Sequence, residues 1–262
     1  MTPLAVQLLA AFALAFSIMT VLWLVQRKTG NAGIVDIGWS GTIPLIVVAA
    51  AALLGNPSPL RLGLLLAMAV LWGGRLVWHI HKRSHGKPED GRYAELRRAW
   101  GARVQPKMFL FFQFQAAAAV LFSLPFLLSL GQTATTLQPL EIAAFLLWLF
   151  AWLGEASADR QLARFKRDPA AKGRVCEAGW WRYSRHPNYF FEWLIWVANA
   201  LFAWSAPNGP WALLCPVLML FFLFKVTGIP ATEEQALKSK GDAYRRYQQT
   251  TSVFIPLPRR RA

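Results

Sequence analysis

Seven stretches of mostly apolar residues, at 3–25, 36–54, 60–81, 108–129, 139–158, 190–206 and 210–228, dominate the sequence. A helix needs about 20 residues to cross the roughly 30 Å hydrocarbon core of a bilayer. Within that core each backbone N–H and C=O must find its partner inside the protein, which leaves helices as the natural way across. The runs therefore predict an all-α, polytopic integral membrane bundle of seven transmembrane helices forming one membrane domain over 1–262. Composition agrees, because 55% of the residues are hydrophobic and only 16% charged, against about 45–50% apolar in soluble domains.

The charge of the chain is distributed in blocks. Arg27 and Lys28, then Lys82 to Lys107, Arg160 to Arg185 and Lys238 to Arg261 are basic, whereas 55–59, 130–138 and 207–209 contain no Lys or Arg. Basic loops stay in the cytoplasm, so the alternation predicts the N-terminus outside and the C-terminus inside. Pro57, Pro59, Gly131, Pro207 and Pro210 punctuate the bare turns, where helix breakers belong. A net charge of +15 would suggest nucleic acid in a soluble chain, but its placement between apolar runs points to membrane lipids instead, with no nucleic-acid partner and a monomer expected. Cys176 and Cys215 are the only cysteines, so neither a disulfide framework nor a thiolate metal site is implied. Met1-Thr2-Pro3 leads into a long apolar run without a basic n-region, which reads as a retained first span.

Several ionisable residues fall in or at the ends of the apolar runs: Asp36, Arg75, His79, His81, Glu155, Asp159 and Glu192. Charges at that depth are expensive and default to function, the plainer alternative being snorkelling or helix capping near the interface. The stretch Lys172-Gly173-Arg174-Val175-Cys176-Glu177-Ala178-Gly179-Trp180-Trp181-Arg182-Tyr183-Ser184-Arg185-His186-Pro187-Asn188-Tyr189 interleaves basic, glycine and aromatic residues. Arg and Lys complement phosphate, glycine admits close backbone approach, and rings offer faces to a heterocycle. A nucleotide cofactor fits that mixture, and so does a juxtamembrane basic and aromatic belt.

The order of these residues is similar to a membrane-enzyme signature. Arg185-His186-Pro187-Asn188-Tyr189 with Glu192, then Glu233-Glu234, Tyr244-Arg245-Arg246-Tyr247 and Phe254-Ile255-Pro256 resemble the C-terminal half shared by two groups. One is the steroid 5-alpha-reductase-like family and the other the isoprenylcysteine and phospholipid methyltransferases. Val35-Asp36-Ile37-Gly38-Trp39-Ser40 and the segment from Arg75 to Tyr93 add a likeness to the bacterial branch of the first. That resemblance implies an NADPH-dependent reductase of the C=C bond of a 3-oxo-4-ene steroid or similar enone lipid, in a bacterial inner membrane with its cofactor site on the cytoplasmic side. The alternatives are an S-adenosylmethionine-dependent methyltransferase and a non-enzymatic lipid-binding membrane protein.

The resemblance further implies a substrate side in helices of 1–130 and a cofactor-binding half in 139–262. For the cofactor it implicates Asp159, Arg174, Tyr183, Arg185, His186, Asn188, Glu192 and Glu233, and no metal. The chain has no Gly-x-Gly-x-x-Gly fingerprint, so a Rossmann cofactor domain is excluded on pattern. An enone reductase needs a donor at the carbonyl. The family's acidic residue at the second span is matched by Asp36, since a desolvated carboxyl can keep its proton; capping of the second helix is the other reading of Asp36. Where relatives place a tyrosine on the third span, this chain has Trp78-His79-Ile80-His81-Lys82, making His79 the second catalytic candidate, with Tyr93 and Tyr183 as fallback donors. Trp39, Arg75 and Trp78 are the substrate-binding candidates.

Overall fold

In a computed structural model of the chain, residues 3–54, 56, 58–226 and 228–260 are described. Met1 and Thr2 before the predicted first span, Gly55 and Pro57 of the first bare turn, Thr227 near the end of the last span and Arg261 of the last basic block lie outside the described residues. Among the described residues ten α-helices occur in the order α1 (Pro3–Thr29), α2 (Ile34–Leu54), α3 (Pro59–Ser84), α4 (Gly91–Trp100), α5 (Val104–Leu130), α6 (Pro139–Arg167), α7 (Pro187–Ala203), α8 (Leu214–Phe221), α9 (Ile229–Lys240) and α10 (Asp242–Thr250). Among the described residues there is no strand beyond an isolated bridge between Ser184 and Ser252.

Among the described residues six segments are long and apolar enough to cross a membrane: Leu4–Thr29, Ile34–Leu54, Pro59–Ser84, Gly91–Leu130, Pro139–Arg167 and Gly209–Lys240. The remaining predicted span, the sixth at 190–206, becomes α7 with 17 residues, or about 26 Å of helix, shorter than the roughly 30 Å hydrocarbon core. The chain divides into two compact units, Met1–Gln138 with Ala203–Ala212, and Pro139–Phe202 with Leu213–Ala262.

In the first unit α1, α2, α3 and α5 pack together, and small residues are among those buried there, as expected where lipid removes the hydrophobic incentive between helices. Ala11, Ala15, Ala116 and Ala119 are buried in this way. Pro44 lies inside α2, where it cannot donate to the Ser40 carbonyl. Gly73 of α3 sits at that break, because a Cβ there would lie 2.7 Å from Pro44 Cγ and 2.9 Å from Ser40 O. Ser58 caps α3, its hydroxyl accepting from Arg61 N at 3.3 Å. The fully buried Arg61 donates to the carbonyls of Ala134 and Thr136, pinning the turn that leaves α5.

In the second unit α6 supplies the long axis, and the loop after it is docked by tryptophans. Trp180 Nε1 donates to Ser157 Oγ at 2.8 Å and Trp181 Nε1 to Ala158 O at 2.9 Å. Gly179 has φ +58°, and a Cβ on it would meet the Gln161 side chain at 2.4 Å. The same Gln161 accepts from Trp180 N at 2.9 Å, so only glycine allows that bond. The last residues form an extended strap over this loop: Arg185 N donates to Ser252 O, Ser184 Oγ to Phe254 O and Leu257 N to Tyr183 O. Arg259 pairs with Glu177.

Candidate functional site

Two polar clusters stand out, one in each unit. In the first unit, the loop between α1 and α2 turns through Gly30, and Asn31 Oδ1 accepts from Gly33 N at 2.9 Å. Asp36 therefore sits inside the first turn of α2 with its side chain free of a capping task. Its two side-chain donors come from α4. Tyr93 Oη donates to Oδ1 at 2.6 Å and Arg92 Nη2 to Oδ2 at 3.2 Å.

α4 is held for this task by its own cap and by a second ion pair. Asp90 accepts from Arg92 N and Arg92 Nε, both at 3.0 Å. Burial by itself would raise the Asp90 carboxyl, but the Arg92 side-chain and backbone donors bring it below the usual carboxylate range. Arg97 Nε donates to both Glu89 oxygens at 3.0 and 2.9 Å and Arg97 Nη2 to Gln26 Oε1 at 2.7 Å, while Glu89 also accepts from Ala32 N at 2.6 Å. This second pair thus ties α4 to the loop that launches Asp36.

The other substrate-side candidates spread along α2 and α3. Trp39, one helical turn from Asp36, packs edge-on against Trp72 and Phe122 with centroids 5.9 and 5.5 Å apart. Arg75 and His79 are half-buried on α3. Trp78 is 64% exposed and lies with His81 and Lys82, an arrangement typical of an interfacial aromatic. The side-chain donors to the Asp36 carboxyl are Tyr93 and Arg92 rather than any of these four.

All eight cofactor candidates lie in the second unit, where they divide into three groups. Asp159 and Asn188 meet, Asn188 Nδ2 donating to Asp159 Oδ1 at 3.3 Å, while Glu192 accepts from Trp196 Nε1 at 2.9 Å along α7. Arg185, His186 and Glu233 converge: Glu233 Oε1 accepts from Arg185 Nε at 2.6 Å and lies 3.2 Å from His186 Nε2. Tyr244 Oη at 3.4 Å and Gln248 Nε2 at 2.9 Å complete the shell of Glu233. Arg185 also donates to the carbonyls of Gln248 and Thr251. Burial, reinforced by the Glu233 charge, pushes the Tyr244 phenol up.

Arg174 belongs to the third group. It lines a cleft of about 440 Å³ with Lys166, Arg167, Lys172 and Lys240, beside Leu162 and Phe165. Its floor is a turn in which Asp168 accepts from Ala170 N at 2.9 Å and Gly173 takes φ +77°. Among the described residues none of the five cations has an ion-pair partner, in contrast to Arg185. Tyr183 lies at the rim of the strap, 42% exposed. Cys176 is buried close by, and burial raises its thiol above the ordinary range, which makes it unreactive.

Sequence reasoning did not single out Arg92 or Lys240, and it ranked Tyr93 only as a fallback. The first two stood in basic blocks that read as orientation signals. Each acquires its meaning from a partner far away in the chain, 56 residues in the case of Arg92 and Asp36.

A family described as "Protein of unknown function (DUF1295)" matches residues 22–251, so the chain belongs to that family. An uncharacterized protein of Schizosaccharomyces pombe is 27% identical over 285 residues, covering 97% of this chain and 80% of its own length. The Delta(14)-sterol reductase LBR of Gallus gallus is 35% identical over 94 residues, which is 35% of this chain and 14% of that protein. No solved structure matches.

Proposed function

We propose that this DUF1295 protein is a membrane oxidoreductase that uses NADPH to reduce the C=C bond of a 3-oxo-4-ene steroid or a similar flat enone lipid. The observation that carries the reading is the buried Tyr93 phenol donating to Asp36 at 2.6 Å. It is a buried acid whose ring packs on the apolar cluster of this unit, suited to a carbonyl oxygen that gains negative charge. Trp39 and its aromatic neighbours offer the flat apolar wall against which such a substrate lies. The local likeness to a sterol reductase supports the same reaction class.

NADPH would supply the hydride to the β-carbon of the enone. The donor set fits the cofactor: the five cations of the Arg174 cleft match its phosphates, and the Asp159–Asn188 pair offers both acceptor and donor to ribose or carboxamide. Glu192 and the exposed Tyr183 extend that surface. In this reading Arg185, His186 and Glu233 act beneath it, fixing the loop that bears Tyr183 and Asn188. α7 serves as a seventh crossing, the N-terminus lies outside, and the basic cleft faces the cytoplasm.

The test is ligand-dependent stabilisation of the detergent-purified protein, since a ligand that binds only the folded state stabilises it. NADPH is expected to raise the unfolding temperature, and a 3-oxo-4-ene steroid then to consume NADPH absorbance. Stabilisation by S-adenosylmethionine alone would assign the protein to methyl transfer instead. No stabilisation by either nucleotide would leave lipid binding as its role.

A further inference from the structure

We infer that Asp36 is the port through which Tyr93 recovers its proton after each turnover, and that Arg92 is the removable cover of that port. The inference rests on the reductase reading. Saturating a C=C bond adds one hydride and one proton: a C–H bond forms at the β-carbon as the enone π electrons shift to oxygen, and as the C=O bond re-forms the α-carbon takes the proton that leaves Tyr93 Oη. A phenolate remains. Tyr93 is only 4% exposed, so water does not reach it directly.

The acid–base group bonded to that phenol is Asp36, and its two oxygens face opposite ways in chemical terms. Oδ1 is 2.6 Å from the buried Tyr93 Oη; Oδ2 is 3.2 Å from Arg92 Nη2. The Asp36 and Arg92 side chains are 30% and 43% exposed. A proton taken up at Oδ2 can therefore reach the phenolate when the carboxyl group turns about its Cβ–Cγ bond and brings that oxygen to Tyr93 Oη. Arg92 need not leave the corner to admit water, since Asp90 holds its Nε at 3.0 Å independently of Asp36. The neighbouring charged pair, Glu89 with Arg97, closes on Ala32 N and Gln26 and gives Tyr93 no second source.

The experiment compares the first turnover with steady-state turnover, using full-length protein in detergent, NADPH and a 3-oxo-4-ene steroid. In Asp36→Asn the amide oxygen still accepts from the phenol but carries no proton between solvent and Tyr93. Its first turnover is expected within about threefold of wild type and its steady-state rate roughly 10–100-fold lower, with partial rescue by added formate. Asp36→Glu is expected to keep both phases. Equal slowing of both phases in Asp36→Asn, or a slow second phase in a folded Asp36→Glu, overturns the port. Arg92→Gln is expected to lower the solvent deuterium isotope effect on steady-state turnover, and an unchanged effect removes Arg92 from the inference. A wild-type protein that forms no saturated product even once defeats the reductase reading itself.

Discussion

Glu233 and Asp36 are both carboxylates gripped by an arginine and a tyrosine, yet their surroundings differ in the one respect that separates scaffold from chemistry. Glu233 receives Arg185, Gln248 and Tyr244 and lies against His186, and the Arg185–Glu233 side chains are 11% and 15% exposed. Donors crowd both of its oxygens, and Arg185 has two further carbonyls. Asp36 has two side-chain donors and is 30% exposed. A saturated, enclosed carboxylate resists change, whereas one with few partners and a wet edge can exchange protons and accommodate a ligand.

The sharpest way to break this comparison is Tyr93→Phe, which removes the acid but leaves the ring in place. The reduction rate is expected to fall by about 10²–10⁴-fold, with thermal unfolding nearly unchanged. A large loss of stability with modest loss of rate would make the Asp36 cluster a scaffold too. Next in size is Glu233→Ala, which strands the Arg185 guanidinium and is expected to cost about 3–5 kcal/mol in unfolding of the purified protein. Asp36→Ala is expected to cost about 1 kcal/mol or less, as for partly exposed pairs. The reverse ranking would invert the assignment of the two carboxylates.

A smaller effect sharpens the same contrast among cations. Arg174→Gln is expected to weaken NADPH about tenfold, or roughly 1.4 kcal/mol, without lowering the unfolding temperature. The difference should shrink in about 1 M salt, where charges are screened beyond about 3 Å. Arg185→Gln is expected to act mainly on stability. Smallest is the acid titration of the Asp90 cap. Its folded carboxyl lies below the ordinary value, so its contribution is present above the unfolded value of about 3.9. It fades as the pH falls through the lower folded value. Asp90→Asn keeps the cap and is expected to flatten that acid limb of the stability curve.

Much of the fold is legible in the sequence because lipid imposes a length rule that needs no partner information. Pro59 to Ser84 reads as one helix from hydropathy alone, and Ser58-Pro59 marks its start. The 190–206 run shows the limit of the same rule. Pro187 begins the helix early and it stops at Ala203, because Pro207, Gly209 and Pro210 prevent its continuation. The candidate site is less legible. Asp36 is conspicuous as a charge in an apolar run, but Tyr93 and Arg92 stand in a polar segment whose short helix announces nothing of its partner. Likewise Arg174 and Lys240 share a cleft although α7, α8 and most of α9 separate them in the chain. Charge pairing at long range is a property of the packed chain, and composition carries no trace of it.

The strap over the 183–185 loop has a consequence for biosynthesis. Ser184 and its acceptor Phe254 are 70 residues apart, so a ribosome adding about 5–20 residues per second makes the second roughly 4–14 s after the first. Until then the loop that carries Tyr183 and leads into Asn188 at the start of α7 lacks its backbone partners, while α6 and α7 already exist. The loop is thus expected to close only after the residues from Ser252 to Leu257 have been made, and limited proteolysis of stalled nascent chains ending before Ser252 should find it open.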